Sequence, residues 1–280
     1  MPTSEVRRTL ALCADDYGLN AAVNAGVLRL CRAGRLTEVS CLANGPAWAE
    51  GAAALVRLRD QAAGRLRVGL HFNLSEGEPL SPALKQLWPR LPALSTLIIQ
   101  AHLGRLPLTA LGEELNAQLQ AFEHTTHRIP AHLDGHQHVH HLPGVRELVM
   151  QLLARRPGLL VRDTGRVRGA GHAVKRVLIE GTGGTALRTA LRAAKRQANT
   201  ELRGVYDFQQ RDYRKLMQRW LADLPPEGTL IFCHPGEATT ASTVASDAIA
   251  EARVRELAYL DSPAFAEDLA AAGVRLGPAA

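Results

Sequence analysis

A single-domain (β/α) barrel is the fold class this sequence predicts, and three observations carry that prediction. Short apolar runs alternate with amphipathic stripes from the start of the chain, reading β-α-β-α-β, the pattern of parallel strands joined by crossover helices. The chain has 280 residues, 46% hydrophobic and 21% charged, enough for one large core, and a barrel of that length is normally one domain. The residues able to do chemistry, Asp15-Asp16, His71, the run 132–141 and His234, each lie at or near the C-terminal end of an apolar run. In a barrel those ends meet at one rim. An open doubly wound sheet would struggle to gather groups from first, third and middle strands around one point.

Taken in order, Thr9–Ala14 reads as a buried strand that stops at Asp15-Asp16-Tyr17-Gly18. A helix follows from about Asn20, with Asn20 as its cap, Val23, Val27, Leu30 and Cys31 as its stripe, and Gly34 as its stop. Val39–Ala43 is the second strand, a helix runs on through Leu58, and Leu66–Leu74 is the third strand, carrying His71. Residues 75–107 contain five prolines and read as a long loop or lid insertion. A helix with Leu111, Leu115, Leu119 and Phe122 on one face leads into the His-rich strand. Pro143 then opens a helix faced by Val145, Leu148, Val149 and Leu152, and Leu159–Arg162 is a further strand. Residues 163–203 read as an irregular basic insertion in which Arg188, Arg192 and Arg196 line up on a solvated helix face. Tyr213–Leu221 is helical, Thr229–His234 is a buried strand, a last helix runs from about Ala245 to Leu260, and Val274–Leu276 supplies a final strand.

Composition narrows the partners. The net charge of +6 could favour an anion, but aromatics at 4% are too few for a stacking nucleic-acid surface. Cys13, Cys31, Cys41 and Cys233 fall in apolar segments with no C-x-x-C pair, which fits reduced core residues. The first apolar run is too short for a signal or a membrane span. A cytoplasmic protein without an integral membrane segment is the expectation.

The densest signal is His132-Leu133-Asp134-Gly135-His136-Gln137-His138-Val139-His140-His141. Positions 132, 134, 136, 138 and 140 alternate, so an extended strand would put them on one face. Imidazole and carboxylate on one face is metal-site chemistry. Asp15-Asp16 fits the same reading. Two adjacent carboxylates facing one cleft repel unless a cation is present, and one can ligate while the other stays free as a base. His71 and a member of the 132–140 cluster would complete an Asp-His-His set. Three protein ligands with an open position describe a catalytic metal. His234 is left as a mobile proton donor.

Ala14-Asp15-Asp16-Tyr17-Gly18, Gly69-Leu70-His71-Phe72-Asn73-Leu74, His132–His140 and His234-Pro235-Gly236 together resemble, in the same order, the four motifs of the YdjC-like (ChbG) carbohydrate deacetylases. The resemblance covers essentially the whole chain. It implies a distorted TIM-like barrel, one divalent metal ion and removal of an N-acetyl group from a sugar. Carried over, Asp16, His71 and His136 would ligate the metal, Asp15 would be the general base and His234 the acid. His138, Asp134 and Arg162 are expected to touch the substrate or to steady the ligands. The family is described with Mg²⁺, which prefers oxygen ligands, whereas two imidazoles suit Zn²⁺. Tyr17 stands where the family usually has Phe. The 163–203 segment does not resemble the chito-oligosaccharide members, which leaves the particular sugar open.

The expected partner is an N-acetylated sugar, with no nucleic acid; a homodimer is allowed for. Two other classes fit the same residues: a metal-dependent phosphoesterase or amidohydrolase, for which the 188–196 arginines would suit phosphate, and a non-catalytic metal- or sugar-binding protein. A glycosidase fits less well, since it needs two carboxylates about 5–9.5 Å apart across a sugar, and here the pair is adjacent.

Overall fold

Every named strand pair is parallel, so all strand C-termini open on one side of the sheet. The computed structural model describes residues 8–238 and 247–278. In chain order these form β1 (Arg8–Tyr17), α1 (Ala21–Arg32), β2 (Glu38–Cys41), α2 (Trp48–Gln61), β3 (Arg67–Phe72), α3 (Pro82–Leu87), α4 (Leu94–His102), α5 (Leu108–Thr126) and β4 (His132–Gly135). A tight turn over His136–His141 follows, then α6 (Val145–Arg155), β5 (Leu160–Val161), α7 (Ala173–Ile179), a wide turn over Glu180–Gly184, and α8 (Thr185–Ala193). The chain ends with β6 (Glu201–Arg203), α9 (Tyr213–Leu221), β7 (Thr229–Cys233), α10 (Ala250–Leu260), α11 (Pro263–Ala271) and β8 (Val274–Leu276).

The strands lie in the order β5-β4-β3-β2-β1-β7-β6, with β8 beside the first residues of β1. The chain beyond β5 touches β6 through one bridge between Val167 and Leu202. The sheet is therefore curled into a distorted TIM-like barrel whose seam, between β5 and β6, is drawn together at a single point. β1 sits at the centre, and Leu10–Ala14 are completely buried, as a strand covered on both faces requires.

Local chemistry explains the helices that buttress the strands. Asn20 accepts a hydrogen bond from the Val23 amide and starts α1. Val23, Val27 and Leu30 then bury one stripe. The α5 stripe of Leu111, Leu115, Leu119 and Phe122 is likewise buried. On that helix Glu114 and Gln118 are fully buried too. Glu114 accepts from the Leu80 and Ser81 amides at 3.0 and 2.7 Å, and Gln118 pairs with both the amide and the carbonyl of Asn73.

Three expectations change. Residues 75–107 are not a structureless loop: they contain α3 and α4, and α5 pins their start. Periodicity missed these helices because they are short and separated by prolines. Residues 163–203 are not an insertion either. They include the barrel strand β6, whose three residues are too few for a readable pattern, and its Glu201–Arg203 charges are buried by pairing with each other at 2.7 Å. The basic face dissolves in part. Arg188 donates to Asp163 at 2.7 Å, and Arg196 donates to the carbonyls of Arg156, Pro157 and Leu159. The helix expected as the last is α10, which begins at Ala250, its expected start at Ala245 lying outside the described residues, and it is followed by a further helix, α11. All four cysteines are free. Among the described residues no helix is long and apolar enough to cross a membrane.

β3 and β4 are held at unusually close quarters. A Cβ at Gly69 would lie 2.4 Å from the His132 ring and from its carbonyl oxygen. Gly69→Ala should therefore lower stability by about 1–3 kcal/mol, the usual cost of overpacking. Urea unfolding of the purified variant measures it, and an unchanged midpoint would contradict this packing.

Candidate active site

The acidic pair departs from regular strand geometry. Adjacent strand residues normally face opposite sides, yet Asp15 and Asp16 both line one cavity. The cause is a bulge. Ala14 pairs with Val39 and Tyr17 with Cys41, so three residue steps on β1 face two on β2. Asp16 takes up the extra residue with φ +68°, a left-handed conformation that Asp tolerates better than most residues.

The His-rich run behaves as a strand only at its beginning. His132 and Asp134 share a face, where Ser40 Oγ meets His132 Nε2 at 2.9 Å and donates to Asp134 Oδ2 at 2.7 Å. After Gly135 the chain turns sharply, with Gln137 at φ 51° and His138 at φ 63°. The expected single face of alternating histidines is thus corrected: β4 ends at Gly135. A Cβ on Gly135 would come 2.7 Å from the His140 amide nitrogen, so glycine permits the turn. The turn sends the histidines apart. His136 meets Asp16, while His140 Nε2 lies 3.0 Å from the Arg162 carbonyl oxygen. His141 lies between Thr164 and Thr182, with ring nitrogens 2.9 and 3.1 Å from their hydroxyls.

Asp16, His71 and His136 come together. One donor atom from each lies within 4.8 Å of the others, and all three residues are buried. His136 Nδ1 is 2.9 Å and His71 Nε2 3.4 Å from Asp16 Oδ1. Both imidazoles have their second nitrogen on a carboxylate: His71 Nδ1 on Asp134 at 2.6 Å, and His136 Nε2 on Glu76 at 3.0 Å. His71 and Asp134 are register partners across β3 and β4, so the sheet itself makes that contact. Carboxylates placed in this way orient metal-binding imidazoles and raise their basicity.

Opposite charges around the cluster offset the cost of its burial. Burial alone would push Asp16 up, but Arg253, then His136, outweigh it and hold the carboxyl well below its ordinary range. Arg253 Nη2 donates to Asp16 Oδ2 at 2.8 Å. Burial would push His71 down, yet Asp134 and then Asp15 draw it up to about 10. A divalent ion supplies the same positive charge. The two nitrogens, the one oxygen and the carboxylates behind them fit such an ion.

Asp15 receives both Nη atoms of Arg162, at 2.7 and 2.6 Å, and Arg162 also reaches Asp134. Arg162 is 3% exposed. Asp134, buried as well, is held well below its ordinary range by Arg162 and then His71, against the upward push of burial. Arg162 and Asp134 thus sit behind the cavity as supports for Asp15 and His71.

His234 follows β7 and lines the cavity. Its ring meets Phe208 and Phe232 edge-on at 5.3 and 5.5 Å, and its amide donates to Glu256 at 2.6 Å. Its Nδ1 is buried without a hydrogen-bond partner. His138 also lines the cavity; its buried Nδ1 has no partner, and burial pushes its pKa well down. The cavity holds about 600 Å³, within the range of small-ligand sites.

Glu76 and Arg253 went unnoticed in the sequence. Glu76 lies in an unpatterned segment and Arg253 inside a late helix, so nothing local marks either one. Asn73 gives the nearest signal for Glu76: its Oδ1 accepts from the Ser75 and Glu76 amides, a side-chain-capped turn.

A parallel α/β barrel with an Asp-His-His donor set sunk at the C-terminal rim is the class of protein that fold and site define. The chain belongs to the YdjC-like protein family, whose model matches residues 9–271. Among similar proteins, the mouse "Carbohydrate deacetylase" is 40% identical over 153 residues, 52% of this chain and 47% of that protein. The "Chitooligosaccharide deacetylase" of Enterobacter sp. (strain 638) is 38% identical over 164 residues, 58% of this chain and 62% of that protein. The matched regions therefore span about half to three-fifths of those relatives' own length. A crystal structure from Enterococcus faecalis V583, described as a candidate cellobiose-phosphate cleavage protein, superposes with a TM-score of 0.71. It covers 98% of both chains at 20% identity, a likeness of fold.

The buried turn makes stability depend on pH. Burial, then His140 and Arg146, push His141 down to about 3, whereas its ordinary value is 6.5. Between those values the unfolded chain binds a proton that the folded chain refuses, so stability is complete above pH 6.5 and declines as pH falls. His140, pushed down to about 4 by burial, acts in the same direction. The urea midpoint should fall from pH 7 to pH 5, and His141→Gln should lose part of that slope. An equal slope in the variant would remove His141 from the account.

Proposed function

We propose that this protein is a metal-dependent carbohydrate N-deacetylase. One observation carries the reading: the Asp16-His71-His136 donor set shares its cavity with a second carboxylate, Asp15, that does not belong to the set. A binding protein has no need of that extra carboxylate; a hydrolase needs it as a base. Relatives named carbohydrate deacetylase and chitooligosaccharide deacetylase support the substrate class.

Asp16, His71 and His136 would hold the ion, which when bound supplies Lewis-acid polarisation of a carbonyl and an activated water. Asp15 is oriented by the two-pronged contact with Arg162, and a carboxylate has lone pairs left to accept the proton of the attacking water. His234 lies in the same cavity, steered by the edges of Phe208 and Phe232. When protonated, its imidazole can deliver a proton to the departing amine, which leaves poorly without one. Glu76 and Asp134 fix the two ligand imidazoles from behind. The phosphoesterase reading loses its basic face: Arg188 and Arg196 are bonded to the protein's own groups.

Elemental analysis tests the ligands. Asp16→Asn, His71→Ala and His136→Ala should each lose the ion while remaining folded. Glu76→Gln should weaken its affinity about 10- to 100-fold, as loss of a supporting carboxylate does. Asp15→Asn should keep the ion and lose activity by about 10² or more. A metal-free Asp15→Asn beside a metal-loaded Asp16→Asn would exchange the two roles.

The reaction has its own test. Incubation with N-acetylglucosamine oligosaccharides and glycosides should release acetate and leave a free amine. By mass spectrometry the product should have lost one acetyl group with its glycosidic bond intact. Shortened sugars that retain their acetyl groups would refute the reading.

A further inference from the structure

The cavity is polar at its floor and aliphatic at its walls. The floor is built from strand ends. Two helices supply much of the walls: α4 contributes Leu94 and Ile98, and α7 contributes Leu178 and Ile179 with Lys175 as its one charged lining residue. Among the described residues no Trp or Tyr lines the cavity, so the rings that commonly combine an apolar face with a hydrogen-bonding edge are missing from its lining. The aliphatic surface does not stop at the mouth. Leu178 lines the cavity and is itself 58% exposed, and Val174, one helical turn before it on α7, is 63% exposed; Val177 on the same helix is 68% exposed. An exposed apolar surface continuous with a site marks a place where something apolar binds.

We infer that the substrate is an N-acetyl sugar carried on an apolar aglycone, and that the aglycone leaves the site between α4 and α7. This inference rests on the deacetylase reading and adds the substrate class to it. A free chito-oligosaccharide would place hydroxyls and acetamides against these walls, and they would give up hydrogen bonds to water without replacement. An alkyl chain or fused apolar ring system would instead remove both itself and the exposed aliphatic residues from water. The polar floor faces the acetamide and the sugar; the walls face what the sugar is attached to.

Two measurements separate the inference from the reading it rests on. Acetate release from methyl, butyl, hexyl and octyl N-acetyl-β-glucosaminides and from di-N-acetylchitobiose, all below micelle-forming concentrations, tests both. Calorimetric binding of methyl and octyl β-glucosaminide, the products, tests the inference without turnover. We expect kcat/KM to rise with chain length, roughly two- to fourfold per buried methylene, and the octyl glucosaminide to bind at least tenfold tighter than the methyl one. Ile98→Asn and Leu178→Asn should each reduce the octyl-to-methyl ratio at least threefold. Leu87→Asn, at a side chain 56% exposed and outside the cavity lining, should leave the ratio alone. Chitobiose turned over better than the octyl glycoside would overturn the inference and leave the deacetylase reading standing. No acetate from any substrate, with octyl glucosaminide bound tightly, would do the reverse. A dimer that dissociates in Val177→Asp would assign the apolar face to a second copy of the chain and also overturn the inference.

Discussion

A single buried guanidinium organises the floor of this barrel. Arg162 grips Asp15 with two hydrogen bonds and reaches Asp134, which in turn holds His71. Two carboxylates and a cation taken out of water are costly unless their geometry is good. Here β1, β4 and the end of β5 fix all three at once. Removing one partner from such a buried set costs about 3–5 kcal/mol, because the remaining charge is stranded. The site and the barrel are therefore not separable: the ion pairs that close the floor are those that aim Asp15 and His71.

The remaining polar contacts extend that arrangement outward. Arg253 approaches from α10 and takes the second oxygen of Asp16, and its Nε is bonded to Asp247 at 2.7 Å. Glu76 approaches from the segment after β3 and takes the second nitrogen of His136. That segment has its place because Glu114 and Gln118, buried on α5, hold its ends at Leu80-Ser81 and Asn73. Charges at the rim are thus balanced by residues far apart in sequence. Above them the walls turn apolar, and the change from charged floor to aliphatic mouth divides the cavity into a part suited to chemistry and a part suited to selection.

Much of this was legible in the chain itself. Alternating apolar runs and stripes gave parallel strands and crossover helices, because burial on both faces of a strand and on one face of a helix leaves different periods. Asp16, His71 and His136 were nameable because they stand at strand ends within recognisable motifs, and the structure gathers their donor atoms together. Arg162 was named at the end of its strand, and its side chain does contact Asp15. The helices of 75–107 and strand β6 were not legible, since they are too short for periodicity to accumulate.

The sequence alone therefore determined the family, the class of fold and which residues would meet at the rim, since parallel strands force their C-terminal ends to one side. Tertiary structure decided how they meet. The alternation of 132–140 promised one face, but the left-handed backbone at Gln137 and His138 breaks the strand and distributes its histidines among the cluster with Asp16, a cavity wall and two buried hydrogen-bonding positions. The adjacency of Asp15 and Asp16 promised repulsion, but the bulge at Asp16 gives one carboxylate to Arg162 and the other to Arg253 and the imidazoles. Neither outcome can be read from spacing, because each depends on a backbone turn whose partners lie between 22 and 237 residues away in the sequence.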